Sequence, residues 1–138
     1  MSDTYNAFVV DEIEDEFKSS IKSLPIPELQ DGYVLIDVLY SSLNYKDALS
    51  ASGNKGVTKS YPFTPGIDAV GIIRQSKDKN FKDGDEVIVT GYDLGMNTNG
   101  GFGEQCDLFV EGKWSDFSEY GPGVTNFFKF IKWGYWVL

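Results

Sequence analysis

Residues 35–47 read Leu-Ile-Asp-Val-Leu-Tyr-Ser-Ser-Leu-Asn-Tyr-Lys-Asp. Their first half continues a run of strand-forming residues that begins at Tyr33, directly after the Asp31-Gly32 turn signal. From Tyr33 to Tyr40 this is the strongest strand in the chain. The pattern then changes at Ser41. A short helix is predicted from about Tyr45, with Asn44 placed to cap it. Gly53 and Gly56 break that pattern again.

Working outward, residues 5–10 (Tyr-Asn-Ala-Phe-Val-Val) form a short apolar run of strand character. Residues 16–24 alternate loosely, which puts Phe17, Ser19, Ile21 and Ser23 on one face of an expected half-buried strand. Pro25 and Pro27 end it, because proline cannot donate to a ladder. Pro62 and Pro65 bracket a rigid connector into Gly66. Residues 68–75 and 86–90 read as two more strands, the second entered through the Asp83-Gly84-Asp85 turn. Residues 91–103 hold five glycines and are expected to be loop. Short strands with one short helix argue for a mainly β fold, a compact barrel or sandwich with a helical insert.

Composition narrows the function. The 138 residues suit one domain. The net charge of −9 and a pI of about 4.3 offer no basic surface to neutralise phosphates, so no nucleic-acid partner is expected. No run of 18 apolar residues is present, and no membrane span or signal peptide is expected. The single cysteine, Cys106, forbids an internal disulfide and suits a cytoplasmic protein. With no histidine, a Ser-His-Asp or Cys-His triad cannot be built, nor can the usual catalytic zinc site; no metal is expected.

Three stretches carry a family resemblance. They are Leu35–Asp47; Tyr61–Gly71 (Tyr-Pro-Phe-Thr-Pro-Gly-Ile-Asp-Ala-Val-Gly); and 81–104, which begins Phe-Lys-Asp-Gly-Asp-Glu-Val and ends Gly-Gly-Phe-Gly-Glu. In this order they resemble the N-terminal, GroES-like catalytic domain of the medium-chain dehydrogenase/reductase superfamily. They look closest to the branch of zinc-independent quinone oxidoreductases and acryloyl-CoA reductases. The resemblance implies a partly open β-barrel, NADPH as hydride source, a small-molecule substrate, and full-length relatives that are homodimers. It implies that Tyr45 lies against the nicotinamide, that Asn44 and Asp47 shape the site, and that Asp68 lies beside it. The Tyr45 hydroxyl or the Asn44 amide would stabilise negative charge growing on a conjugated carbonyl.

Each of these residues also has a plainer reading. Asn44 serves as a helix cap, Tyr45 as a core-edge aromatic, Asp47 as a solvated first-turn carboxylate, and Asp68 as a turn partner. Gly66 and Gly71 read as backbone-permissive positions, and Cys106 as an inert thiol.

The Gly-x-Gly-x-x-Gly fingerprint of a dinucleotide fold does not occur between a strand and a helix here, so the Rossmann domain is absent from the expected fold. After Glu104 the character changes. Residues 105–138 hold 10 of the 21 aromatics and all three tryptophans, with no clean period. Two units are therefore expected: a GroES-like domain over 1–104 and an atypical aromatic tail over 105–138, the latter read as possibly out of frame. On this reading the isolated chain is inactive. A stand-alone GroES-like protein-binding module is the alternative, and attachment of residues 124–138 to a lipid surface is a weaker third.

Overall fold

A computed structural model describes residues 3–91 and 93–110, together with the backbone of two short strands at 114–115 and 129–133. β1 (Thr4–Ile13) and β2 (Glu16–Pro25) form an antiparallel hairpin in which Thr4 faces Pro25. Glu14 and Asp15 turn it with φ of 52° and 63°, the left-handed pair that matches strand twist in a two-residue hairpin. There follow β3 (Tyr33–Ser41), the helix α1 (Tyr45–Ala51), β4 (Asp68–Ser76), β5 (Glu86–Gly91), β6 (Gln105–Phe109), β7 (Trp114–Ser115) and β8 (Lys129–Trp133). The second sheet runs β6-β3-β4-β5-β8-β7, antiparallel except for the β5–β8 pair.

Isolated bridges tie β1 to the segments that connect strands of the second sheet, Ala7 to Gly103 and Val10 to Phe63. The bonds from Phe8 N–H to the Phe102 carbonyl and from Val10 N–H to the Phe63 carbonyl, both 2.8 Å, make the same link. The two sheets stay separate and do not close into one barrel, which gives the expected partly open, mainly β architecture. One face of β3, β4, β5 and β6 buries Val34, Ile36, Ile73, Val87, Val89 and Cys106 in a common core. Burying such side chains contributes about 1.5–3 kcal/mol each.

One reading of the sequence changes. β2 is not half-buried. It pairs with β1 alone, so Ile21 is 69% exposed, and only Phe17 and Leu24 are partly covered. Phe17 gains its cover from outside the sheet: it packs edge-on against Tyr61 at 4.9 Å and lies over the bare face of Gly53. The main sheet extends past Glu104. Strand pairing carries on through it, because β6 begins at Gln105 and pairs with β3 from Tyr33–Phe109 to Asp37–Gln105. The aromatic segment 124–138 lies outside the described residues except for the backbone of β8.

The glycine-rich loop packs against the Pro65–Ile67 connector backbone to backbone. Gly66 has φ +113°, and a Cβ there would sit 2.6 Å from Gly101 N and 2.7 Å from Phe102 N. Gly84 has φ +91° but open space around it. Gly84→Ala is therefore expected to cost only backbone strain, about 1–2 kcal/mol. Gly66→Ala adds a backbone clash, and its urea midpoint is expected to fall well below that of Gly84→Ala. Equal midpoints would show that the loop contact is loose.

Candidate functional site

The polar residues at the end of β3 converge because the chain turns sharply there, from strand to helix, beside the first residue of β4. Asn44 takes the N-cap position of α1 with extended backbone (φ −125°, ψ 156°). Its N–H donates to Asp47 Oδ2 at 2.8 Å. The other oxygen of Asp47, Oδ1, accepts from Gly66 N–H at 3.1 Å and Ile67 N–H at 3.0 Å. Asp47 is only 3% exposed. It is thus no solvated first-turn carboxylate: burial is tolerated because three backbone N–H groups satisfy its charge.

The side chain of Asn44 faces the other way. Its Nδ2 donates to Ser42 Oγ at 2.9 Å and to Asp68 Oδ2 at 3.1 Å. Ser42 Oγ in turn donates to Asp68 Oδ2 at 3.0 Å. The Asn44 amide nitrogen is thus drawn toward the Ser42–Asp68 pair, whose two acceptor oxygens lie 3.0 Å apart. Tyr45, by contrast, is 79% exposed, so it is not a core-edge aromatic. Ser42 was missed in the sequence. Its only signal was its place between the strand and Asn44, which a serine on any loop shares.

Beside this lip runs a groove of about 350 Å³ lined by Phe8, Ile21, Leu39, Tyr40, Ser41 and Phe102. Tyr40 is 73% exposed and Leu43 88%. A larger cleft, about 570 Å³, lies at Tyr5, Asp37, Arg74 and Gln105. There Arg74 and the Gln105 amide both bind Asp37 Oδ1, at 3.3 and 2.9 Å. That cleft holds none of the residues singled out from the sequence, so the lip is the candidate site.

Elsewhere three titratable groups are desolvated by burial: Cys106, Asp107 and Tyr5. Burial, then the nearby Asp107 carboxylate, pushes the Cys106 thiol up to about 12, which keeps it an inert thiol. Burial also raises Asp107, and burial followed by Asp107 raises Tyr5. Among the described residues, no three His, Cys, Asp or Glu side chains converge on a metal position, and no helix is long and apolar enough to cross a membrane.

The alcohol dehydrogenase GroES-like domain family matches residues 30–133, a span that holds the whole lip and runs across Glu104. The chain belongs to that family. It is the N-terminal domain type of the medium-chain dehydrogenase/reductase superfamily. It is 39% identical over 108 residues to the probable acrylyl-CoA reductase AcuI of Escherichia coli, covering 78% of this chain and 33% of that protein. It is 37% identical over 114 residues to the putative quinone oxidoreductase YhfP of Bacillus subtilis, covering 83% and 34%. Among solved structures it resembles the B. subtilis yhfP protein with NAD bound (TM-score 0.69, 33% identity, 79% of this chain, 35% of that one). It also resembles E. coli YHDH with bound NADPH (TM-score 0.66, 39% identity, 72% and 31%). The chain spans about a third of the length of these relatives.

If the Asp47 carboxylate is what fastens α1 to the connector, Asp47→Ala strands three backbone N–H groups. It is expected to lower unfolding free energy by about 3 kcal/mol in denaturant titration. Tyr45→Phe, at an exposed position, is expected to stay within about 0.5 kcal/mol of the parent.

Proposed function

We propose that this chain is the catalytic-side portion of a zinc-independent, NADPH-dependent oxidoreductase that reduces quinones or activated alkenes such as acrylyl-CoA. The observation that supports it most is the likeness to the N-terminal third of the acrylyl-CoA reductase relative, within a family match that contains Ser42 to Asp68.

The residues of the lip suit one end of the cofactor. An exposed aromatic, Tyr45, stands beside a fixed hydrogen-bonding group, as a flat nicotinamide ring needs. Nothing among the described residues suits the pyrophosphate, which takes backbone N–H groups at a βα turn. The bound nicotinamide would supply the hydride. On this reading Tyr45 is the residue that meets the ring. Its hydroxyl donates to the carbonyl oxygen that gains negative charge. Asp47 holds the turn that carries Tyr45, and Asn44 and Asp68 shape the wall beside it. The absence of histidine and the buried state of Cys106 fit zinc-free chemistry. A cytoplasmic, homodimeric whole protein completes the reading. The stand-alone protein-binding alternative draws on the same exposed residues, Tyr40, Leu43 and Tyr45, and on no separate observation.

A chimera in which this chain's matched region replaces the N-terminal third of the E. coli relative is expected to oxidise NADPH in the presence of acrylyl-CoA. Tyr45→Phe in that chimera is expected to lower kcat about 100-fold, the usual loss for one donor to a developing oxyanion. A folded chimera that binds NADPH and does not turn over would contradict the proposal.

A further inference from the structure

β2 has an open edge, and the hydrogen bonds of β1 show which residues point into it. The N–H groups of Phe8 and Val10 leave β1 for the carbonyls of Phe102 and Phe63, both at 2.8 Å. The ladder to β2 is therefore made by the alternate residues Tyr5, Ala7, Val9 and Asp11, which face Leu24, Lys22, Ser20 and Lys18. Phe17, Ser19, Ile21 and Ser23 turn their N–H and carbonyl groups outward, and no described residue pairs with them there. The register to β1 runs unbroken, with no bulge to twist the edge away. Ile21 sits in this edge 69% exposed. Such an edge is a template for one more strand.

The sequence of the edge is complementary to itself. Two copies of β2 can run antiparallel about a two-fold axis at Ser19. Phe17 then faces the partner's Ile21, and Ser19 faces the partner's Ser19. All of these point outward and can exchange both backbone bonds. On the other face Glu16 meets the partner's Lys22, and Lys18 meets the partner's Ser20. Glu16 and Lys22 are 71% and 43% exposed beside their own-chain partners Lys18 and Asp11, so both are open to a second ion pair. Neighbouring registers lack this match. An axis at Ser20 sets Lys18 against the partner's Lys22, and an axis at Lys18 sets that lysine against its own copy. An axis at Ile21 sets Phe17 against the partner's Pro25, which has no N–H to give. We infer that this chain self-associates through β2 in the Ser19-centred register, joining two β1–β2 hairpins into one four-stranded sheet. Phe17, packed on Tyr61 with ring centroids 4.9 Å apart, gives the partner's Ile21 a fixed aromatic surface. The interface lies on the hairpin and is independent of the reductase reading.

The test uses the full 138-residue chain. Ser19→Cys, Ser20→Cys and Ser23→Cys each place one thiol at an exposed position, and the native Cys106 is buried. Cα atoms across a hydrogen-bonded pair stand about 5.5 Å apart, within disulfide reach, so Ser19→Cys is expected to give a covalent dimer on mild oxidation. Ser20→Cys and Ser23→Cys are expected to stay monomeric, because their copies lie more than about 7 Å apart in this register. In sedimentation velocity the parent is expected to show a concentration-dependent dimer. Ser19→Pro removes an N–H that points away from β1, so the hairpin keeps its ladder and the dimer is expected to disappear. Glu16→Lys sets like charges opposite each other at both symmetry-related places and is expected to raise the dimer dissociation constant roughly 10-fold. A monomeric parent, association that survives Ser19→Pro, or cross-linking that is strongest at Ser20→Cys or Ser23→Cys would overturn the inference. An inactive chimera alongside a Ser19→Cys cross-link would instead remove the reductase reading and leave this one standing.

Discussion

One buried carboxylate organises the candidate site. Asp47 takes backbone N–H groups from Asn44, at the start of α1, and from Gly66 and Ile67 of the connector, 19 and 20 residues beyond it. A seven-residue helix has almost no stability of its own, because nucleation costs more than so few bonds return. Its position is set by what it is tied to. With Asp47 in place, Asn44 is held against Ser42 and Asp68, and Tyr45 is turned outward. Further ties hold the helix from behind, where Ser50 and Thr58 hydroxyls meet at 2.7 Å and Tyr61 donates to the Ser50 carbonyl at 2.6 Å.

The same connector explains why glycine is needed in the loop opposite. Gly66 N–H serves Asp47 while its carbonyl accepts from Gly101 N–H at 2.8 Å. Two backbones can approach this closely only without a Cβ between them. Strand, helix, connector and glycine loop thus meet around one carboxylate. At its surface Asp68 keeps one carboxylate oxygen without a hydrogen-bond partner among the described residues, and Tyr45 is exposed.

Much of the frame was legible in the sequence. Tyr33–Tyr40 and residues 68–75 and 86–90 read as strands because β-branched residues cluster there between turn signals. The helix from Tyr45 read correctly because Asn44 precedes it. β2 misled because a period of two does not reveal whether a second layer covers the strand, and here none covers Ile21. β6 went unread because Gln105-Cys-Asp-Leu-Phe is too short and mixed to declare itself, and becomes a strand only by pairing with β3. At the site, the residues were named and their roles were not. Asp47 reads from sequence as a solvated helix-start acid, and burial cannot be inferred from one letter. Which atoms Asn44 bonds depends on Ser42 and Asp68, the latter 24 residues away, and no local pattern encodes that triangle.

Native-state hydrogen exchange at the Gly66 and Ile67 backbone amides reads the Asp47 contact most directly. Both N–H groups lie in a connector between proline and strand, where their bonds to the Asp47 carboxylate are the ones that protect them. Protection in the parent chain, lost at these two amides and at Asn44 in Asp47→Ala, is the expected result. Free exchange of Gly66 and Ile67 in the parent chain would mean that Asp47 does not hold the connector, and that the site is organised by something else.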